Sequence, residues 1–100
     1  MDVKFELGDL QFEWDSEKAE INFKEHKVHF EDAALVFFDE HKLDDYDELH
    51  SDVEDRNKIV GKVGKILVVI YTERGDCNRI ISARLANKKE QEDYYEQFYY

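Results

Sequence analysis

One hundred residues give room for one domain, spanning 1–100, and the chain sets 25 Asp and Glu against 14 Lys and Arg, a formal net charge of −11. Its 42% hydrophobic content, four glycines and absence of proline exclude a disordered acidic tail or a linker. No run of about 18 apolar residues spans a membrane, Met1–Glu6 does not open like a signal peptide, and a single cysteine, Cys77, excludes an internal disulfide framework and a Cys-based zinc site. The bulk reading is a small acidic cytoplasmic globule, and the total charge by itself disfavours nucleic acid.

Phe12-Glu13-Trp14 reads as a short extended start. Asp15 or Ser16 then caps a helix that has Glu17 in its first turn and runs to about His26. Ala19, Phe23 and His26 fall on one face with Asn22 beside them. Residues 31–38 place acids before apolar side chains and predict a second short helix. From Asp39 to Asp55 the chain is acidic and poorly periodic, with one strand near Lys42–Asp45 and otherwise loop.

Period-two alternation from Arg56 to Val63 predicts a strand, and Gly64-Lys65 a turn. Ile66–Tyr71 is β-branched and apolar on both faces, which marks a central buried strand. Gly75-Asp76 makes the next turn and Arg79–Arg84 a third strand. Asn87 with Glu90 three residues on is a capping box opening a last helix, which Tyr94, Tyr95 and Phe98 pin to the sheet. The expected class is α+β, with N-terminal helices and a C-terminal helix packed on one face of a small twisted antiparallel sheet.

Counting by segment divides the charge. Residues 1–55 carry −14, residues 56–89 carry +7, and residues 90–100 carry −4. All four arginines, Arg56, Arg74, Arg79 and Arg84, lie in the middle block with Lys58. Arginine forks bind phosphate oxygens in a bidentate way and stabilise charge on a pentavalent phosphorane. A carboxylate or histidine can move a 2′-hydroxyl proton. Glu–Arg cross-strand pairs that only tie the sheet together are the bland alternative.

A two-residue turn at Gly75-Asp76 would put Tyr71, Glu73, Ser82 and Arg84 on one face and Thr72, Arg74 and Arg79 on the other. A single bulge would reverse part of this. His26, His29, His41 and His50 are too scattered for a metal site, so no metal and no cofactor is expected. His26, beside Asn22, reads as a hydrogen-bonded core residue.

Three stretches, quoted in order, resemble the BrnT family of toxins. The first is Phe12-Glu-Trp-Asp15, Lys18, Asn22, His26, Val28 and Phe30-Glu-x-Ala33. The second is Asp47-x-x-His50-Ser51-x-x-Glu54-x-Arg56. The third is Tyr71-Thr-Glu-Arg-Gly75, Arg79-Ile-Ile-Ser-Ala-Arg84, Ala86, Glu90 and Tyr94. The likeness spans residues 12–96 and leaves 1–11 as an N-terminal extension. It implies a RelE-like fold and the toxin of a type II toxin–antitoxin system, a metal-independent ribonuclease that arrests translation by driving 2′-hydroxyl attack on the adjacent phosphate. It also implies a BrnA-type ribbon-helix-helix antitoxin as partner in a hetero-oligomer, with DNA met only through that antitoxin, and no membrane.

On this reading Arg79 and Arg84 bind the phosphate and the transition state, with Arg56 and Lys58 positioning the backbone. Glu73 or His50 carries the proton, Arg74 holds Glu73, and Asn22, His26 and Ser82 are structural polar residues. The alternative is a catalytically weak BrnT-like protein that binds antitoxin for operon autoregulation. Three features depart from the family pattern. Glu25-His26-Lys27 stands where Lys-His-Gly is usual, the last helix is acidic rather than arginine-rich, and Asn57 follows Arg56 in place of an aromatic residue.

Overall fold

The computed structural model describes residues 1–46 and 55–99. Its elements in chain order begin with β1 (Asp2–Leu7), β2 (Leu10–Asp15), α1 (Ser16–His26) and α2 (Phe30–Leu35). They continue with β3 (Leu43–Tyr46), β4 (Asn57–Val63), β5 (Lys65–Arg74), β6 (Cys77–Leu85) and α3 (Lys88–Glu96). Single 3-10 turns follow α2 (Val36–Phe38) and α3 (Gln97–Tyr99). The six strands form one sheet in the order β1-β2-β6-β5-β4-β3.

The first eleven residues are not an appendage to this sheet. Val3, Phe5 and Leu7 alternate with Lys4 and Glu6 and pack on the core, and β1 pairs with β2 over its whole length. Neighbouring strands run antiparallel with one exception, β2 beside β6, which pair in parallel at Gln11–Glu13 and Cys77–Arg79. The expected antiparallel sheet is therefore mixed. A chain that enters as β2, crosses through two helices and returns much later as β6 has no hairpin to set its direction.

Asp15 caps α1 by accepting a hydrogen bond from the Lys18 N–H at 3.0 Å. The helix ends on Lys27, a left-handed residue at φ 60° whose N–H reaches the Phe23 carbonyl at 2.8 Å. A lysine thus adopts the conformation that favours glycine at this cap. Gly61 in β4 serves close approach: a Cβ there would lie 2.6 Å from Val36 Cγ1, so the turn after α2 rests on bare backbone.

Strand β5 is buried on both faces, and the two faces have different cover. Leu67, Val69 and Tyr71 join Phe12, Trp14, Ile80 and Ala83 under Phe30, Ala33, Ala34 and Val36 of the α2 segment. Ile66 and Val68 join Val60, Ala86 and Tyr94 of α3 on the opposite side. The helices therefore do not share one face, as the sequence had led one to expect. Of the three aromatic residues expected to pin α3, Tyr94 is the buried one and its hydroxyl donates to Asp39 at 2.6 Å, whereas Tyr95 and Phe98 are 40% and 50% exposed.

Candidate functional site

The geometry of the arginines is set by one extra residue in β6. Tyr71 pairs with Ile80 but Ile70 pairs with Ser82, so Ile81 is a bulge. Arg79 then lies opposite Thr72 and Arg84 opposite Val68, an even number of β5 positions apart. Alternation therefore turns Arg74, Arg79, Ser82 and Arg84 to one face, and the β4 register adds Lys58, opposite Ile70. The split drawn from an unbulged turn is corrected accordingly. This is the face opposite α1 and α2, left open where α3 ends; below it is called the open face.

Two ionic clusters occupy it. Arg79, 16% exposed at its side chain, donates to Glu13 at 2.6 Å and to Asp2 at 3.0 Å, and Lys4 lies 3.4 Å from Glu13. Two cations meet two carboxylates there, and the charge cancels. Arg84 grips Glu90 with two nitrogens, at 2.8 and 2.9 Å, and Lys58 reaches the same carboxylate at 2.9 Å. Here two cations share one carboxylate. The hydrogen bond from Arg84 above all, against the cost of burial and with help from the Asn87 N–H and Lys58, brings the Glu90 carboxyl down to about 2.

The other expected residues fall elsewhere. Glu73 alternates to the face of Tyr71 rather than that of Arg79 and is exposed, lining a cavity of about 350 Å³ with Asp55, Asn57 and Thr72. Burial first, and then Asp44 and Glu73, push the Tyr71 hydroxyl above its ordinary range. Arg74 is exposed at the end of β5, and Arg56 is half-buried just before β4. His50 lies outside the described residues.

Asn22 is buried and makes three hydrogen bonds, donating to the carbonyls of Ala83 (2.8 Å) and Val28 (3.1 Å) and accepting from the Ala83 N–H (3.1 Å). Among the described residues no strand pairs with the outer edge of β6 beyond Arg79, and this carboxamide pairs with Ala83 as a strand would. His26 is exposed at the end of α1, 3.7 Å from Glu25, so its expected core role is not met. It carries no load in the core because the apolar side of α1 ends before it. Ser82 is half-buried on the open face. No group of three or more His, Cys, Asp or Glu among the described residues could hold a metal ion.

Sequence reasoning missed the carboxylates Asp2, Glu13 and Glu90 that meet these cations. Only Glu90 left a signal, the capping-box spacing from Asn87. In the structure its backbone N–H donates to Asn87 at 2.8 Å and its carboxylate accepts from the Asn87 N–H at 2.9 Å.

An α+β domain with this mixed six-stranded sheet is similar to a known toxin fold. It matches the 1.1 Å crystal structure of the Brucella abortus ribonuclease toxin BrnT with a TM-score of 0.57, over 75% of this chain and 94% of that one. At 24% identity the likeness is one of fold. Residues 14–90 match the family model described as the ribonuclease toxin BrnT of type II toxin–antitoxin systems, and the chain belongs to that family. No curated protein matches it. Strand β1 lies outside the matched stretch, although its Asp2 reaches Arg79 inside it.

Proposed function

We propose that this chain is a translation-arresting endoribonuclease of the RelE-like kind that works without a metal ion on the open face of its sheet. The 2′-hydroxyl of the RNA attacks the adjacent phosphorus, its proton passes to a base, and the 5′-oxygen of the next nucleotide leaves with a proton from an acid. The product ends in a 2′,3′-cyclic phosphate. Arg84 and Arg79 bind the phosphate and the charge that builds on it, while Lys58, Arg56 and Arg74 hold the flanking backbone. Of the two expected proton carriers, Glu73 stands on the other face of the sheet from Arg79 and Arg84, so His50 is assigned to the proton transfer from the 2′-hydroxyl. A BrnA-type ribbon-helix-helix antitoxin neutralises the toxin in a cytoplasmic hetero-oligomer and brings the pair to operator DNA.

The observation that supports this reading is the bulge at Ile81, which turns Arg79 to the same face as Arg84 and Lys58. The test is cleavage of RNA by the purified protein in excess chelator, beside Arg84→Ala and Arg79→Ala. Wild type cuts, and each variant loses about a hundredfold or more in rate, the scale for deleting one transition-state donor. No cutting by wild type, or undiminished cutting by both variants, refutes the proposal.

A second reading is favoured by the self-pairing of these cations with Glu13, Asp2 and Glu90. It is a weakly active chain kept for antitoxin binding and operon control. Growth arrest on expression, relieved by the product of the neighbouring gene, supports the first reading. Harmless high expression supports the second.

A further inference from the structure

We propose that Glu90 is a positioning residue for RNA binding, holding the Arg84 guanidinium and the Lys58 ammonium side by side as a two-cation cradle for one backbone phosphate. The proposal rests on the ribonuclease reading and adds to it the group that builds its phosphate site. Arg84 and Lys58 stand on β6 and β4, on either side of β5 and two residues out of line, so their backbones are about 12 Å apart. Their side chains nonetheless meet at a single oxygen, Glu90 Oε2, which lies 2.9 Å from Arg84 Nη2 and 2.9 Å from Lys58 Nζ. Two like charges converge in this way only with an anion between them.

The burial order is that of a cradle. The Glu90 side chain is 11% exposed, while Arg84 and Lys58 are 39% and 34% exposed, so the anion sits behind and the cations face outward. The Glu90 carboxylate is itself held by the main-chain N–H of Asn87 at 2.9 Å, a bond that does not need the Asn87 side chain. It stays ionised throughout the neutral range. Around Arg79 the cations are matched instead, since Asp2 and Glu13 meet Arg79 and Lys4 there.

The experiment turns on a sign. Removing an acid from a chain of net charge −11 strengthens RNA binding if only the overall field matters. Loss of positioning weakens it. The probe is a 2′-O-methylated RNA oligonucleotide, which binds without being cut, titrated by fluorescence anisotropy over a salt series. Glu90→Gln keeps an oxygen to accept the Asn87 N–H but surrenders the charge that gathers the cations.

The variant binds about tenfold more weakly, the scale of one charged hydrogen bond. Its log–log salt slope is shallower by about 0.7, the single-strand value for one phosphate contact. Asn87→Ala breaks the same cap and lowers the melting temperature, yet leaves affinity within about twofold of wild type. If Glu90→Gln does not fold, Glu90→Asp serves instead: it keeps the charge, draws it back by one methylene, and binds more weakly than wild type.

Equal or tighter binding by the Glu90 variants overturns the proposal, as does an equal loss of affinity in Asn87→Ala. Wild type that binds the methylated oligonucleotide but does not cut ordinary RNA refutes the ribonuclease reading and leaves the cradle standing. Wild type that binds no RNA overturns both.

Discussion

Removing the Asn22 carboxamide should cost this small domain a large share of its stability. The Asn22→Ala change deletes the partners of one backbone donor, the Ala83 N–H, and two acceptors, the carbonyls of Ala83 and Val28. Asn22 is only 6% exposed, so water does not readily replace it. Ala83 turns both its polar groups toward Asn22 and away from β5, which leaves them without a ladder partner. An unsatisfied buried group costs about 1–3 kcal/mol, so three sum to about 3–5 kcal/mol after partial relaxation. The native state of such a domain is worth only about 5–15 kcal/mol.

Urea unfolding measures this as a fall in midpoint with little change in slope, and hydrogen exchange should show lost protection at the Ala83 amide. Asn22→Asp sharpens the test, because it keeps the acceptor for Ala83 but sets a carboxylate oxygen against two carbonyls. The introduced carboxyl has its folded pKa raised, so the damage is greatest at neutral pH and eases as acid protonates it. A loss below about 1 kcal/mol in Asn22→Ala, or an Ala83 amide protected as in wild type, refutes the account of how β6 is held.

Lys27→Gly relieves a left-handed lysine at φ 60° and gives up a weak contact of Lys27 Nζ over the Phe23 ring at 5.7 Å. The balance is a gain of about 0.5 kcal/mol, read as a higher melting temperature by calorimetry. Gly61→Ala drives a Cβ into Val36 Cγ1 and should cost about 1–3 kcal/mol in urea unfolding. The depressed Glu90 carboxyl contributes stability that is fully present above pH 4.5 and is lost as pH falls toward about 2. Allowing for screening at its part-exposed partners, that contribution is about 2 kcal/mol. The stability of Glu90→Gln should therefore change less with pH than wild type over that window in acid unfolding.

Local signals carried much of the fold. The Asp15 cap, the β4–β6 meander, its glycine turns and the Asn87–Glu90 box each depend on residues within a few positions of one another. The misses were non-local, or were signals not followed through. Val3, Phe5 and Leu7 alternate before Gly8-Asp9 and could have been read as a hairpin arm. The apolar run of β5, buried on both faces, already required cover on both sides of the sheet. The parallel β2–β6 pairing leaves no local mark, since it depends on where the chain returns after two helices.

For the site, arginine clustering was visible but sidedness was not. One unpaired residue, Ile81, decides which face Arg79 joins, and its neighbours Ile80 and Ser82 carry no bulge signature. The carboxylates of Asp2 and Glu13 come from strands distant in sequence, so the neutralisation of Arg79 emerges only from the assembled sheet.

The central claim is that RNA meets the open face of β4–β6, and the most direct test is amide chemical-shift mapping with the uncleavable 2′-O-methylated oligonucleotide. The account predicts shifts concentrated at Lys58, Thr72, Arg79, Ser82, Arg84 and the first turn of α3, all weakening together in Arg84→Ala. Shifts concentrated instead on α1 and α2, or a pattern unchanged by Arg84→Ala, would contradict it.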